Sequence, residues 1–201
     1  MSFYNMPYMN QAVSSDPTSS WQIRLKGKVY KAIIGKTAYY GDHVELSDNG
    51  NDFASSFGIG AVLGTKFTYP KDNPTAETSY LLTPEKEIIW KKWFKLYNEK
   101  MLSKEDYLGN LYDIGFDKPE AHVIKKGDTL YYAFYADKWD GDIELKGLKK
   151  GNYLVNDYFI GKNIGTISSD NPKINTSFNK FLLIEVYENT HDKNFNTKRH
   201  D

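Results

Sequence analysis

Apolar positions follow two different periods along this chain, and the change falls near residue 106. Trp21, Leu25, Val29 and Ile33 stand four apart, while Lys26, Lys28 and Lys31 lie largely off that stripe. This pattern predicts an amphipathic helix with the stripe as its core side. Ser14-Ser15-Asp16-Pro17 supplies the start, with Asp16 as cap and Pro17 at the first helical position. The helix should run to about Ile34 and stop at Gly35. A second helix is expected from Thr83-Pro84, with Glu85 and Glu87 in its first turn and Ile89, Trp93, Leu96, Tyr97 and Met101 on its apolar face. Residues 1–12 read as an extended segment or strand end and residues 37–40 as a short strand. Residues 41–56 read as a polar loop, 59–69 as a buried strand and 71–82 as another loop.

Beyond residue 106 short apolar-aromatic runs alternate with turn residues. The turns are Lys126-Gly127-Asp128, Trp139-Asp140-Gly141-Asp142, Lys150-Gly151-Asn152 and Asn171-Pro172. Strands are predicted over 122–125, 130–136, 143–148, 153–158, 174–178 and 181–187, and their even spacing predicts an antiparallel β-sandwich. The implied organisation is an α/β segment over 1–106, an all-β domain over 107–188 and a polar tail over 189–201. Two helices and a few strands leave sheet edges and one-sided apolar faces to cover, so the first segment reads as the end of a larger fold.

Composition narrows the function. Lysine plus arginine and aspartate plus glutamate both number 26, so net charge offers no case for nucleic acid or an anionic membrane. No apolar run approaches the roughly 20 residues of a membrane span. The absence of cysteine rules out disulfides and thiolate metal sites and fits a cytoplasmic setting. Sixteen tyrosines, eleven phenylalanines and four tryptophans suit either a β-rich core or surfaces that stack on sugar rings.

Several local patterns carry less. Asp48-Asn49-Gly50-Asn51-Asp52 is rich in oxygen ligands but lacks the EF-hand order, so no metal is expected. Gly58-Ile59-Gly60-Ala61-Val62-Leu63-Gly64 misses the dinucleotide register, so no cofactor is expected. Trp139, beside an acidic turn, suits sugar stacking or edge packing, whereas Trp93 belongs to a core.

Four motifs stand in order: Ser15-Asp16 opening a helix, Tyr40-Gly41-Asp42-His43-Val44-Glu45, Gly64-Thr65-Lys66-Phe67-Thr68-Tyr69-Pro70, and Leu82-Thr83-Pro84-Glu85-Lys86-Glu87. Their order and spacing, with the β-domain after them, resemble the melibiase-type α-galactosidases, retaining glycoside hydrolases of clan D. The similarity runs from Phe3 to about Glu188. The resemblance implies the C-terminal portion of a (β/α)8 TIM barrel followed by an antiparallel β-sandwich. It also implies a terminal α-galactoside as the carbohydrate ligand.

By that resemblance Asp16 matches the catalytic acid/base, in a Ser-Asp dipeptide before a helix, while Asp42, His43 and Glu45 match residues lining the sugar pocket. From the residues alone, Asp16 reads first as a helix cap and the 42–45 segment first as a solvated loop. Glu45 is the second choice for the acid. Nothing in the chain matches the family's nucleophile motif, which implies partnership with an upstream barrel segment, or self-association, and inactivity of this chain alone. The alternative reading is a non-enzymatic carbohydrate-binding β-sandwich module.

Overall fold

A computed structural model describes residues 8–9, 19–36, 40–41, 51–63 and 83–189. The chain divides into two compact units, Met1–Gly109 and Asn110–Asp201. The first contains β1 (Tyr8–Met9), α1 (Ser19–Ile34), β2 (Tyr40–Gly41), α2 (Asn51–Gly58), α3 (Pro84–Lys100), a 3-10 turn at Leu102–Lys104, and β3 (Asp106–Tyr107). β1 and β2 pair in parallel, Tyr8 opposite Tyr40 and Met9 opposite Gly41. With α1 between them in sequence, they form a βαβ arrangement, because parallel neighbours need a crossover. This parallel pair is too short to show a barrel.

α1 ends as its sequence requires, with Gly35 at φ 59° and its N–H bonded to the Lys31 carbonyl at 3.0 Å. Its buried side, however, is not the expected one. Trp21, Leu25, Val29 and Ile33 are exposed, Ile33 by 75%. Ile23 is buried and joins Ile59 and Ala61 in a core cluster against which Tyr30 and Ile34 pack. At 100° per residue, Ile23, Tyr30 and Ile34 form a second apolar arc roughly opposite the first. The helix is apolar on two sides, and periodicity does not choose between them; contact with residues 59–61 does. Lys31 borders the packed arc, and its buried ammonium donates to the Ser103 carbonyl at 2.8 Å. Arg24 reaches Ser55 Oγ in the same way at 2.9 Å.

The expected polar loop over 41–56 contains α2 at its end. Phe53 and Phe57 are fully buried, and Ala54, Ser55 and Ser56 leave room for close packing between them. The run of Asp, Asn and Gly before residue 53 masks a helix whose apolar residues are few but all inward. α3 starts at the predicted place, with Thr83 Oγ1 accepting from the Lys86 amide. Trp93 packs between Phe53 and Phe57 at centroid distances of 6.2 Å to each. Met101 leaves the predicted apolar face. It takes the left-handed C-cap position at φ 47° and is 44% exposed.

The second unit holds an antiparallel sheet of β4 (Glu120–Lys126), β5 (Thr129–Glu144), β6 (Asn152–Asp157), β7 (Lys162–Ser168) and β8 (Lys173–Glu188), in the order β4-β5-β8-β6-β7. It is compatible with a β-sandwich. The hairpin at Gly127-Asp128 is as expected, with Gly127 at φ 59°.

Two expected breaks are strand interior. Trp139 to Asp142 lies within β5, paired from Trp139↔Phe178 to Asp142↔Asn175. The two runs at 174–178 and 181–187 are one strand, bent where Lys180 takes φ 67° opposite the Ala136/Lys138 bulge. That bend brings Ile174 against Gly165 of β7, where an added Cβ would meet Ile174 Cδ1 at 3.0 Å. The sheet thereby curls over Tyr132, Phe134, Ile143, Leu145, Val155 and Ile184, all buried. β7, whose two isoleucines stand three apart at Ile164 and Ile167, lacks the apolar alternation that predicts a strand and is not among the expected ones.

The segment before β4 is tied to the β5–β6 connection by one phenol. Tyr112 Oη donates to the Glu144 carbonyl and accepts from the Lys146 amide at 2.9 Å. Lys146 Nζ lies 4.9 Å from the Tyr112 ring centroid and 2.7 Å from Asp117 Oδ1. Burial pushes the Tyr112 hydroxyl well above the ordinary phenol range.

Candidate functional site

Asp16, Asp42, His43 and Glu45 lie outside the described residues. Asp16 belongs to the connection from β1 to α1, and Asp42 immediately follows the last residue of β2. Because β1 and β2 are parallel and paired in register, both connections depart from the same, C-terminal edge of the pair. In parallel α/β folds that edge is where ligands are bound.

Of the other singled-out residues, Trp139 does not stand at a turn. It sits in β5 across from Phe178, and its indole nitrogen is buried without a hydrogen-bond partner among the described residues. Trp93 is core. Among the described residues no group of three or more His, Asp or Glu side chains is placed to hold a metal ion. No described helix is long and apolar enough to cross a membrane.

Three polar features were missed by the sequence reading. His122, fully buried, meets Glu120 at 2.8 Å on one face of β4, with Tyr135 edge-on at 5.8 Å. The i, i+2 spacing of Glu120 and His122 was the available signal, but apolar neighbours made the segment read simply as a strand. Buried Lys31 is the second, its ammonium pKa lowered from 10.5 to about 8 by desolvation. The third is a cleft of about 390 Å³ in the second unit, lined by Asn152, Thr166, Ile167, Ser168, Asn171, Lys173 and Asn189. It is formed largely by β7, which the sequence did not reveal, and by the turn at Asn171, which it did.

No family model matches the chain. The chain is 34% identical over 196 residues to the A type blood α-D-galactosamine galactosaminidase of Flavonifractor plautii. That match takes in 92% of this chain and 16% of the relative, so the chain spans a minor part of the relative's length. Among solved structures, a protein described as a glycoside hydrolase is similar over 86% of this chain and 47% of its own, with a TM-score of 0.50 at 11% identity. A glycoside hydrolase family 30 xylanase of Clostridium acetobutylicum overlaps 90% of this chain and 42% of its own, with a TM-score of 0.43 at 9% identity.

Proposed function

We propose that this chain is the C-terminal part of a retaining α-glycosidase of the melibiase type, acting on terminal α-galactosides or α-galactosaminides. The observation that carries the reading is the 34% identity to the Flavonifractor plautii galactosaminidase over nearly the whole chain. The parallel β1–α1–β2 arrangement supports it, because it sends the Asp16 and Asp42 segments off one edge. On this reading residues 1–106 are the last part of a (β/α)8 barrel and residues 107–188 are its terminal β-domain.

Asp16 serves as acid/base. It protonates the leaving glycosidic oxygen, then takes a proton from the water that releases the sugar. The opposing nucleophile stands about 5–5.5 Å away in retaining enzymes, and the proposal assigns it to sequence outside these 201 residues. The chain alone therefore does not turn over. Asp42, His43 and Glu45 bind sugar hydroxyls beside it. α1 begins at Ser19, three residues after Asp16 and not at the expected Pro17, so Asp16 stands ahead of the cap position and its carboxyl is left for chemistry; an Asp cap would be held ionised by the helix amides and would be a poor acid. The lack of cysteine fits a cytoplasmic enzyme.

The test replaces the matching stretch of the Flavonifractor plautii relative with this chain and assays 4-nitrophenyl α-glycosides. Hydrolysis by the chimera, with none by the chain alone, supports the proposal. A folded chimera without hydrolysis counts against it.

A further inference from the structure

We propose a second, non-catalytic sugar site in the β-unit, at the cleft where β6, β7 and the start of β8 meet, with a neutral hexose as its ligand. The site does not depend on Asp16 or on the glycosidase reading.

Antiparallel register builds it. Asn152 pairs with Ser168 and Leu154 with Thr166, while Leu154 also pairs with Tyr187. Side chains two apart on a strand share a face, so Asn152, Ser168 and Thr166 point to one side of the sheet. The Ser168–Asn171 turn and Lys173 close the cleft beyond the end of β7. Ser168 Oγ accepts from the Asn171 amide at 3.2 Å, and the Ser169 amide donates to the Gly151 carbonyl at 2.9 Å. The Asn189 amide donates to the Asn152 carbonyl at 2.8 Å, which pins the third wall. The backbone of the site is thus held by strand pairing and turn bonds before any ligand arrives.

Its chemistry selects the ligand. Three carboxamides and two hydroxyls offer donors and acceptors side by side, as vicinal sugar hydroxyls require, since each is itself donor and acceptor. The side chains of Thr166, Asn171 and Lys173 make no hydrogen bond among the described residues. A volume of about 390 Å³ lies within the roughly 300–1,000 Å³ of small-molecule clefts, but the lining is far more polar than usual for them. That polarity suits a hydroxyl-rich ligand over an apolar one. Among the described residues lining the cleft only Lys173 is charged, so a protonated amino sugar is disfavoured against its neutral counterpart.

Saturation-transfer NMR on the intact chain, with D-galactose and D-galactosamine as probes at millimolar concentration and pH 7, tests the proposal. Transfer to galactose ring protons is expected to exceed transfer to galactosamine at least threefold. Thr166→Ala and Asn171→Ala, both at exposed positions, should each reduce galactose transfer at least threefold with an unchanged near-UV spectrum. Lys173→Ala should narrow the galactose–galactosamine gap, and Asp16→Asn should leave transfer unaltered. Absence of transfer to either sugar overturns the proposal. So does transfer that Asp16→Asn abolishes while Thr166→Ala and Asn171→Ala leave it intact, because that pattern places the sugar in the proposed catalytic cleft. Failure of the chimera to hydrolyse glycosides leaves this result unaffected, so the two proposals fail separately.

Discussion

Lys31 and Tyr112 are polar groups that burial has put to structural use, and pH acts on them in opposite directions. The folded pKa of Lys31 is lowered to about 8 from 10.5. Between those values the unfolded chain keeps a proton that the folded chain has released, so stability rises with pH across that window. Below pH 8 the folded protein carries the full cost of a buried ammonium, on the order of 3 kcal/mol. Lys31→Met should raise the melting temperature at pH 7 and abolish the rise between pH 8 and 10.5, read by fluorescence of Trp21, Trp90 and Trp93 in a Trp139→Phe background. A lower melting temperature at pH 7 would show that the bond to Ser103 outweighs desolvation.

Tyr112, Tyr132 and Tyr158 have raised pKa values, with burial the first cause in each. Above pH 10 the unfolded chain loses phenolic protons that the folded chain retains, so the second unit loses stability as pH rises further. Tyr112→Phe leaves the Glu144 carbonyl and Lys146 amide without their shared partner. It should cost about 1–3 kcal/mol in urea melts followed by near-UV circular dichroism.

Elements were legible where the sequence offered a single solution. α3 is an example: a Thr-Pro start, acidic residues in the first turn and one aromatic face leave little choice, and its boundaries emerged nearly as expected. α1 was legible as a helix but not in its facing, because Ile23, Tyr30 and Ile34 compete with the longer stripe and only tertiary contact decides. Ile23→Ala should therefore cost about 2–4 kcal/mol, whereas Ile33→Glu should change stability by less than about 0.5 kcal/mol in thermal melts. Equal costs at the two sites would mean that the exposed arc is packed after all.

In β5 and β8 the turn-like residues are real, but they bend strands instead of ending them. Gly141 holds φ 149° in mid-strand with open space where a Cβ would lie. Gly141→Val should thus destabilise by about 1–2 kcal/mol in urea melts, despite the strand propensity of valine. The four residues assigned to the sugar pocket come from motif order alone. What the described structure adds is topological, namely that their segments leave one edge of a parallel pair.

At the scale of the molecule, the proposed acid belongs to the first unit and the proposed second sugar site to the β-unit, and the chain as a whole matches 16% of a longer relative. The central claim is that Asp16 donates and accepts the catalytic proton. The most direct measurement uses the chimera described above, with Asp16 and with Asp16→Asn, on a 2,4-dinitrophenyl α-glycoside whose departure needs no acid, in the presence and absence of azide. If Asp16 is the acid/base, the variant accumulates the covalent glycosyl intermediate, turns over about 10²–10⁴-fold more slowly, and is rescued by azide to yield a glycosyl azide of retained configuration. Unchanged turnover in Asp16→Asn, or a loss that azide does not rescue in a folded protein, would contradict the account.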